Sequence, residues 1–162
     1  MSHQVQILLG SNLGDRKSYL DKAIEIIGET LGEITQVSRV FVTPAWGIEN
    51  ASDFYNQAIT LLTDHSAPEL LKALLDIESL LGRLRTGQMT SRTIDLDIAF
   101  YDNRIIESED LVIPHPRLHL RNFALAPLND IAPRKNHPAI GKSVQELFEA
   151  LPDHGEVTIL PS

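Results

Sequence analysis

Hydrophobic side chains recur along the first hundred residues in two rhythms, and the rhythm changes wherever glycine, proline or small polar residues cluster. Val5 to Leu9 is an apolar-rich run that stops at Gly10-Ser-Asn-Leu-Gly14, and after Asp15 the apolar residues fall at Leu20, Ile24, Ile27 and Leu31. A short run followed by three-to-four spacing behind a capping aspartate predicts strand, turn and amphipathic helix. Thr35 to Val42 is rich in β-formers with imperfect alternation, and Thr43-Pro-Ala-Trp-Gly47 breaks it, so a strand leading into a loop is expected. From Phe54 to Leu62, Phe54, Asn56, Ala58, Thr60 and Leu62 fall on one face and Tyr55, Gln57, Ile59 and Leu61 on the other, which predicts a third strand.

Ser66-Ala-Pro-Glu69 is a capping box with proline in the first turn, followed by Leu70, Leu74, Ile77 and Leu81 at helical spacing and by Gly82 as a stop. Ile94 to Tyr101 alternates strictly, which places Ile94, Leu96, Ile98 and Phe100 on one face, and Asp102-Asn103 reads as a turn into a short strand at Ile105-Ile106. Further helices are expected near 117–127 and 143–151. The order β-α-β-β-α-β is that of the ferredoxin-like motif. The fold class is therefore α+β, an antiparallel sheet with helices packed on it and additional C-terminal helices. That architecture hosts many unrelated activities, so the site has to decide function.

Composition narrows the choice. A chain of 162 residues is the size of one domain, and 1–162 is expected to be a single unit. With no cysteine there is no disulfide framework, thiolate metal site or cysteine nucleophile. The N-terminal Met1-Ser-His-Gln-Val has no charged-then-apolar leader, and no apolar stretch approaches the roughly 18 residues of a membrane span, so a cytoplasmic protein without membrane contact is expected. A net charge of −8 argues against nucleic acid as a partner. The six histidines supply no helical His-x-x-x-His pair, which leaves hard, oxygen-bound cations as the expected metals.

Asp95 and Asp97 are two apart on a strand, hence on one face and about 6.6 Å apart along the chain, close enough to share one or two such cations. Aspartate is poor in strands, and two like charges repel unless a cation or an arginine compensates. Arg83, Arg85 and Arg92 surround the same loop. Two carboxylates with three guanidinium groups suit phosphoryl transfer, and suit a surface ion-pair network equally well. Phe54, Asn56 and Phe123 could hold a flat hydrogen-bonding heterocycle, with ordinary core packing as the alternative. Pro114-His115-Pro116-Arg117 and Arg121 form a rigid cationic corner. Gly10-Ser-Asn-Leu-Gly14 matches neither a P-loop nor a dinucleotide fingerprint. A polymerase- or cyclase-like domain and a small-molecule-binding regulatory module stand as rival readings.

Taken in order, Gly10-Ser-Asn-Leu13, Thr43-Pro-x-x-Gly47, Tyr55-Asn56, Glu78 with Gly82-Arg-x-Arg85, Arg92-x-x-Asp-Leu-Asp97, Pro114-His115 with Arg121-x-Phe123, and Pro127-Leu128 resemble the hydroxymethyl-dihydropterin pyrophosphokinases of folate biosynthesis. The resemblance implies transfer of the β,γ-pyrophosphoryl group of ATP to the hydroxymethyl oxygen of the pterin, with release of AMP. It implies two magnesium ions on Asp95 and Asp97, and catalytic roles for Arg83 and Arg92. ATP would be held by Leu71, Glu78, Arg85, Ile98, Val112, His115 and Arg121. The pterin would be held by Thr43, Pro44, Trp46, Phe54, Asn56 and Phe123. A monomer is expected, with a dimer as the alternative. The chain departs from the family at Thr86-Gly-Gln-Met-Thr-Ser91, where a tryptophan preceded by basic residues is common, at Leu75 in place of a glutamine, and at Ala99 in place of a larger aliphatic residue. The polar segment from Arg83 to Arg92 is expected to act as a lid, with Met89 as its apolar plug.

Overall fold

The computed structural model of the chain describes residues 2–44, 53–82, 93–152 and 157–161. Among these residues the elements are β1 (His3–Ser11), α1 (Arg16–Thr30), β2 (Glu33–Val37), β3 (Phe41–Thr43), β4 (Phe54–Thr63), α2 (Ala67–Leu80), β5 (Asp95–Tyr101), β6 (Ile106–Glu107), β7 (Val112–Ile113), α3 (Asn122–Ile131), α4 (Val144–Glu149) and β8 (Thr158–Ile159), with a 3-10 turn at Leu118–Leu120. The main sheet runs β5-β1-β4-β3-β8 with β2 also on β4, every pair antiparallel, and β6 and β7 form a separate hairpin. This bears out the ferredoxin-like expectation.

Local chemistry explains the helices. The Asp15 carboxylate accepts from the Ser18 N–H at the start of α1. At α2 the Ser66 hydroxyl accepts from the Glu69 N–H while the Glu69 carboxylate accepts from the Ser66 N–H, so two otherwise orphaned donors are satisfied. Ser143 and Glu146 repeat the box at α4.

The sheet buries both faces unequally. Val5, Ile7 and Leu9 of β1, Ile59 and Leu61 of β4, and Leu96, Ile98 and Tyr101 of β5 pack with Leu20, Ala23 and Ile27 of α1 and Leu70, Leu74 and Ile77 of α2. On the opposite face Ala58, Ala99 and Phe100 pack under Leu118, Ala124, Leu125 and Leu128, with Val144 and Leu147 of α4 completing the cluster.

Three expectations are corrected. Gly10 and Ser11 belong to β1 rather than to a turn, because both are paired with β4. The strand expected from Thr35 to Val42 is two strands, since at Ser38 the side-chain Oγ, rather than a backbone carbonyl, accepts from the Ala58 N–H. Asp130 of α3 then ties down the break by accepting from the Arg39 guanidinium at 2.7 Å and from its backbone N–H at 2.8 Å. The strict alternation of β5 fails at Ala99, where Gln6 faces Phe100 and Ile7 faces Ile98, leaving Ala99 as the extra residue of a bulge. Phe100 therefore lies with Ala99 under α3, and Tyr101 takes the core side expected for Phe100. Among the described residues no helix is long and apolar enough to cross a membrane.

Candidate active site

Register across four strands assembles the site. Gly10 stands opposite both Asp95 on β5 and Asn56 on β4, and Asn56 stands opposite Phe41 on β3, so one row crosses the sheet as Asp95, Gly10, Asn56, Phe41. The next row is Asp97, Leu8, Ala58. Side chains in these rows share one face, and that face is opposite α1 and α2. α3 roofs the Ala58 end, while Asp95 is half-buried and Asp97 exposed where the roof stops. The two carboxylates thus share a face, as their spacing predicted. They are a hard-oxygen donor pair, the kind magnesium uses when water and substrate phosphates complete its shell. Among the described residues no group of three or more histidine, aspartate or glutamate side chains could hold a metal, so the fit rests on this pair.

Beside them, the Asn56 carboxamide donates from Nδ2 to Thr43 Oγ1 at 2.8 Å, and Thr43 in turn stands opposite Phe54. Phe54, half-buried, shares its face with Asn56 by the period of two along β4. Phe123 lies in the first turn of α3, 40% exposed, with the Arg121 guanidinium 5.6 Å from its ring centroid. Because α3 packs on β4, β3 and β1, Phe123 belongs to this side of the sheet. Pro44, half-buried, follows directly on β3.

Glu78 is 1% exposed, and its carboxylate accepts from the Leu96 N–H at 2.7 Å. β5 is an edge strand, and Leu96 lies between the two aspartates, so Glu78 fixes the backbone that carries both. Ile98 belongs to the core cluster on the α2 side of β5, away from the aspartates, and Leu71 packs against that cluster. Val112 sits exposed on β7, which packs on β5. Among the described residues no strand pairs with the outer edge of β5, and a ligand touching these three and the carboxylates has to cross it.

The Arg117 N–H donates to His115 Nδ1 at 3.0 Å, which puts the proton of the neutral ring on Nε2, 3.3 Å from the Arg121 guanidinium. Burial first, then the positive charges of Arg121 and Arg117, hold the His115 pKa below its ordinary value. Donor therefore faces donor at this corner. Trp46, Arg83, Arg85, Arg92 and the expected lid with Met89 lie outside the described residues. Gly10 and Phe41 enter the row without having been singled out as site residues; a glycine within an otherwise apolar strand is the signal that marks the first.

A family model described as 7,8-dihydro-6-hydroxymethylpterin-pyrophosphokinase matches residues 6–133. The chain is 39% identical over 132 residues to 2-amino-4-hydroxy-6-hydroxymethyldihydropteridine pyrophosphokinase of Bacillus subtilis, covering 81% of this chain and 79% of that one. It is 39% identical over 142 residues to the protein of the same name from Aquifex aeolicus, covering 88% of each. It is 38% identical over 157 residues to the folic acid synthesis protein fol1 of Pneumocystis carinii, covering 97% of this chain but only 21% of that protein. Among solved structures, a triple mutant of Plasmodium falciparum HPPK-DHPS shares the fold at TM-score 0.76 and 17% identity, over 92% of this chain and 41% of that one. The family model spans most of the chain and the two bacterial relatives match it over four fifths of its length or more, so this chain belongs to the 7,8-dihydro-6-hydroxymethylpterin-pyrophosphokinase family.

Proposed function

We propose that the chain, acting as one domain, transfers the β,γ-pyrophosphoryl group of ATP to the hydroxymethyl oxygen of 6-hydroxymethyl-7,8-dihydropterin, with magnesium bound at Asp95 and Asp97. The new bond joins the hydroxymethyl oxygen, whose proton passes to solvent, to the β-phosphorus; the bond from that phosphorus to the α-phosphate oxygen breaks, and AMP leaves with that oxygen. As a member of its family the chain is a pyrophosphokinase, a transferase. The transverse row carries the finer reading. Neighbouring strands are about 4.8 Å apart, so Asn56 and Asp95, two strands apart, are separated by about 10 Å. That spans a two-ring heterocycle with a one-carbon arm, read at one end by Asn56 and presented to the carboxylates at the other.

Phe54 and Phe123 supply aromatic surface for the ring, and Thr43 orients the Asn56 amide by accepting from its Nδ2. Holding the acceptor here replaces an encounter in solution by a positioned one. Asp95 and Asp97 would hold magnesium, which when bound would supply neutralisation of the polyphosphate charge. His115 and Arg121 present two donors, and a phosphate oxygen that accepts from both, with the 3.3 Å approach between them opening to admit it, would satisfy them. Glu78 contributes by holding Leu96, and with it the carboxylate spacing. Leu71, Ile98 and Val112 offer apolar surface for the base around the β5 edge, and Arg83, Arg85 and Arg92 serve the polyphosphate. The acidic net charge supports small-molecule substrates rather than nucleic acid, and we propose a cytoplasmic monomer.

Incubation with ATP, magnesium and 6-hydroxymethyl-7,8-dihydropterin, resolved by chromatography, tests the reading. AMP appears together with the pterin pyrophosphate if it holds. ADP in place of AMP points to an ordinary kinase, and no turnover in the presence of tight pterin binding points to a binding module.

A further inference from the structure

Arg16 is the first residue of α1, directly after the Asp15 cap. A cation in the first turn opposes the helix dipole, so the helix itself gains nothing from an arginine there. What the side chain holds is the start of β4. Its Nη1 donates to the Asp53 carbonyl at 2.8 Å, and the guanidinium lies over the Tyr55 ring, 3.9 Å from the centroid. One arginine thus grips the strand twice, by a charge-assisted hydrogen bond and by a cation–π contact. The helix it comes from is anchored in the core by Leu20, Ala23 and Ile27, all fully buried.

The grip falls where the sheet lets go. Among the described residues the ladder of β4 with β1 ends at Ser11 and Tyr55, and its ladder with β3 ends at Thr43 and Phe54, so Asp53 lies beyond both. Strand ends fray unless something ties them down, and the residue at this end is Phe54, which the proposed function sets against the pterin ring. Tyr55 points to the opposite face and packs against the core cluster of α1 and α2. Holding the Asp53 carbonyl and the Tyr55 ring fixes the backbone on both sides of Phe54. We infer that Arg16 is a positioning residue for the pterin, acting from the closed face of the sheet without touching substrate. This role rests on the pyrophosphokinase reading above. Because β1 separates β4 from β5, the carboxylates lie outside its reach.

The test is Arg16→Met, which keeps an unbranched apolar stem and removes the guanidinium. Kd and KM for 6-hydroxymethyl-7,8-dihydropterin should rise about fivefold, while kcat at saturating pterin stays within about twofold and ATP affinity is unchanged. Melting temperature should change little, since an exposed contact of this kind contributes modestly to stability. Tyr55→Leu removes the ring face and should give the same pterin-specific loss, and the double variant should lose no more than the larger single loss. Lys17→Met, which removes a neighbouring charge paired with Asp21 on the same helix, should leave every constant unchanged and so separates positioning from loss of charge. Wild-type pterin affinity in a folded Arg16→Met overturns the inference, as does a loss shared by ATP, an equal loss in Lys17→Met, or fully additive losses in the double variant. A collapse of the fold in either single variant overturns it too, by giving the contact a structural reason. AMP formation by the wild type is measured alongside. Its absence removes the underlying reading, whereas its presence with an unaffected Arg16→Met removes the inference alone.

Discussion

The two faces of the sheet are built by the same strands and end differently. On the α1 and α2 side the inward residues of β1, β4 and β5 between Val5 and Leu9 and their partners are buried and apolar, apart from Gln57, whose side-chain amide donates to the Ser38 carbonyl at 2.8 Å, and the Tyr101 hydroxyl, which donates to the His65 carbonyl at 2.6 Å. On the other side the helix α3 covers Ala58, Ala99 and Phe100, while the row of Ala58 ends at the exposed Asp97 and the next row carries Asp95, Gly10 and Asn56. Period-two alternation thus lets one strand give alternate residues to the hydrophobic core and to the chemistry. Changes on the first face should act on stability, and changes on the second on activity.

Asp97→Ala is the sharpest separation. Turnover should fall at least ~1,000-fold, ~4 kcal/mol in barrier, while the melting temperature in metal-free buffer changes little, because the like-charged neighbour Asp95 gains from its removal. A large stability loss with activity kept would reverse the assignment of faces. Ile59→Ala, on the closed side, should lose about 2–5 kcal/mol of stability by denaturant titration while the folded fraction keeps its kcat. Phe123→Ala and Asn56→Ala should each weaken pterin binding by about tenfold, ~1.4 kcal/mol, with ATP affinity little altered in calorimetric titration. If ATP is the ligand that weakens, the two pockets are exchanged.

The smallest effect concerns acid. His137 is 4% exposed and its Nδ1 accepts from the Ala139 and Ile140 N–H groups, both at 3.2 Å. Burial first, then the neighbouring His119, holds its pKa below the ordinary value. The unfolded chain therefore takes up this proton more readily than the folded one, and stability present above about pH 6.5 is lost as pH falls. Melting temperatures between pH 7.5 and 5 should show this slope, and His137→Asn, whose Oδ1 can still accept, should flatten it.

What could be read from the sequence was what a few neighbouring residues encode. The capping box at Ser66 and Glu69, the Asp15 cap and the extent of β4 came out nearly as expected, because each is decided within one or two turns of chain. The shared face of Asp95 and Asp97 follows from spacing alone. The break at Ser38 and the bulge at Ala99 were not legible, since each depends on what a partner strand offers across the ladder. β7 and β8 are two residues long, too short for any periodicity. Alternation along β5 already set Ile98 on the face away from the carboxylates, but that Leu71 of α2 lies on that same side is a fact of packing that no motif carries.

The bulge makes β5 asymmetric towards changes in length. With Ala99 unpaired, the strand has one residue more than its ladder with β1 uses. Losing a residue there can be absorbed by straightening the ladder, which leaves Tyr101 in the core and both aspartates on the open face. Gaining one between Asp97 and Ala99 has no such slack to draw on, and must turn either the carboxylates into the core or Tyr101 out of it. Deletions should therefore survive in this strand where insertions do not.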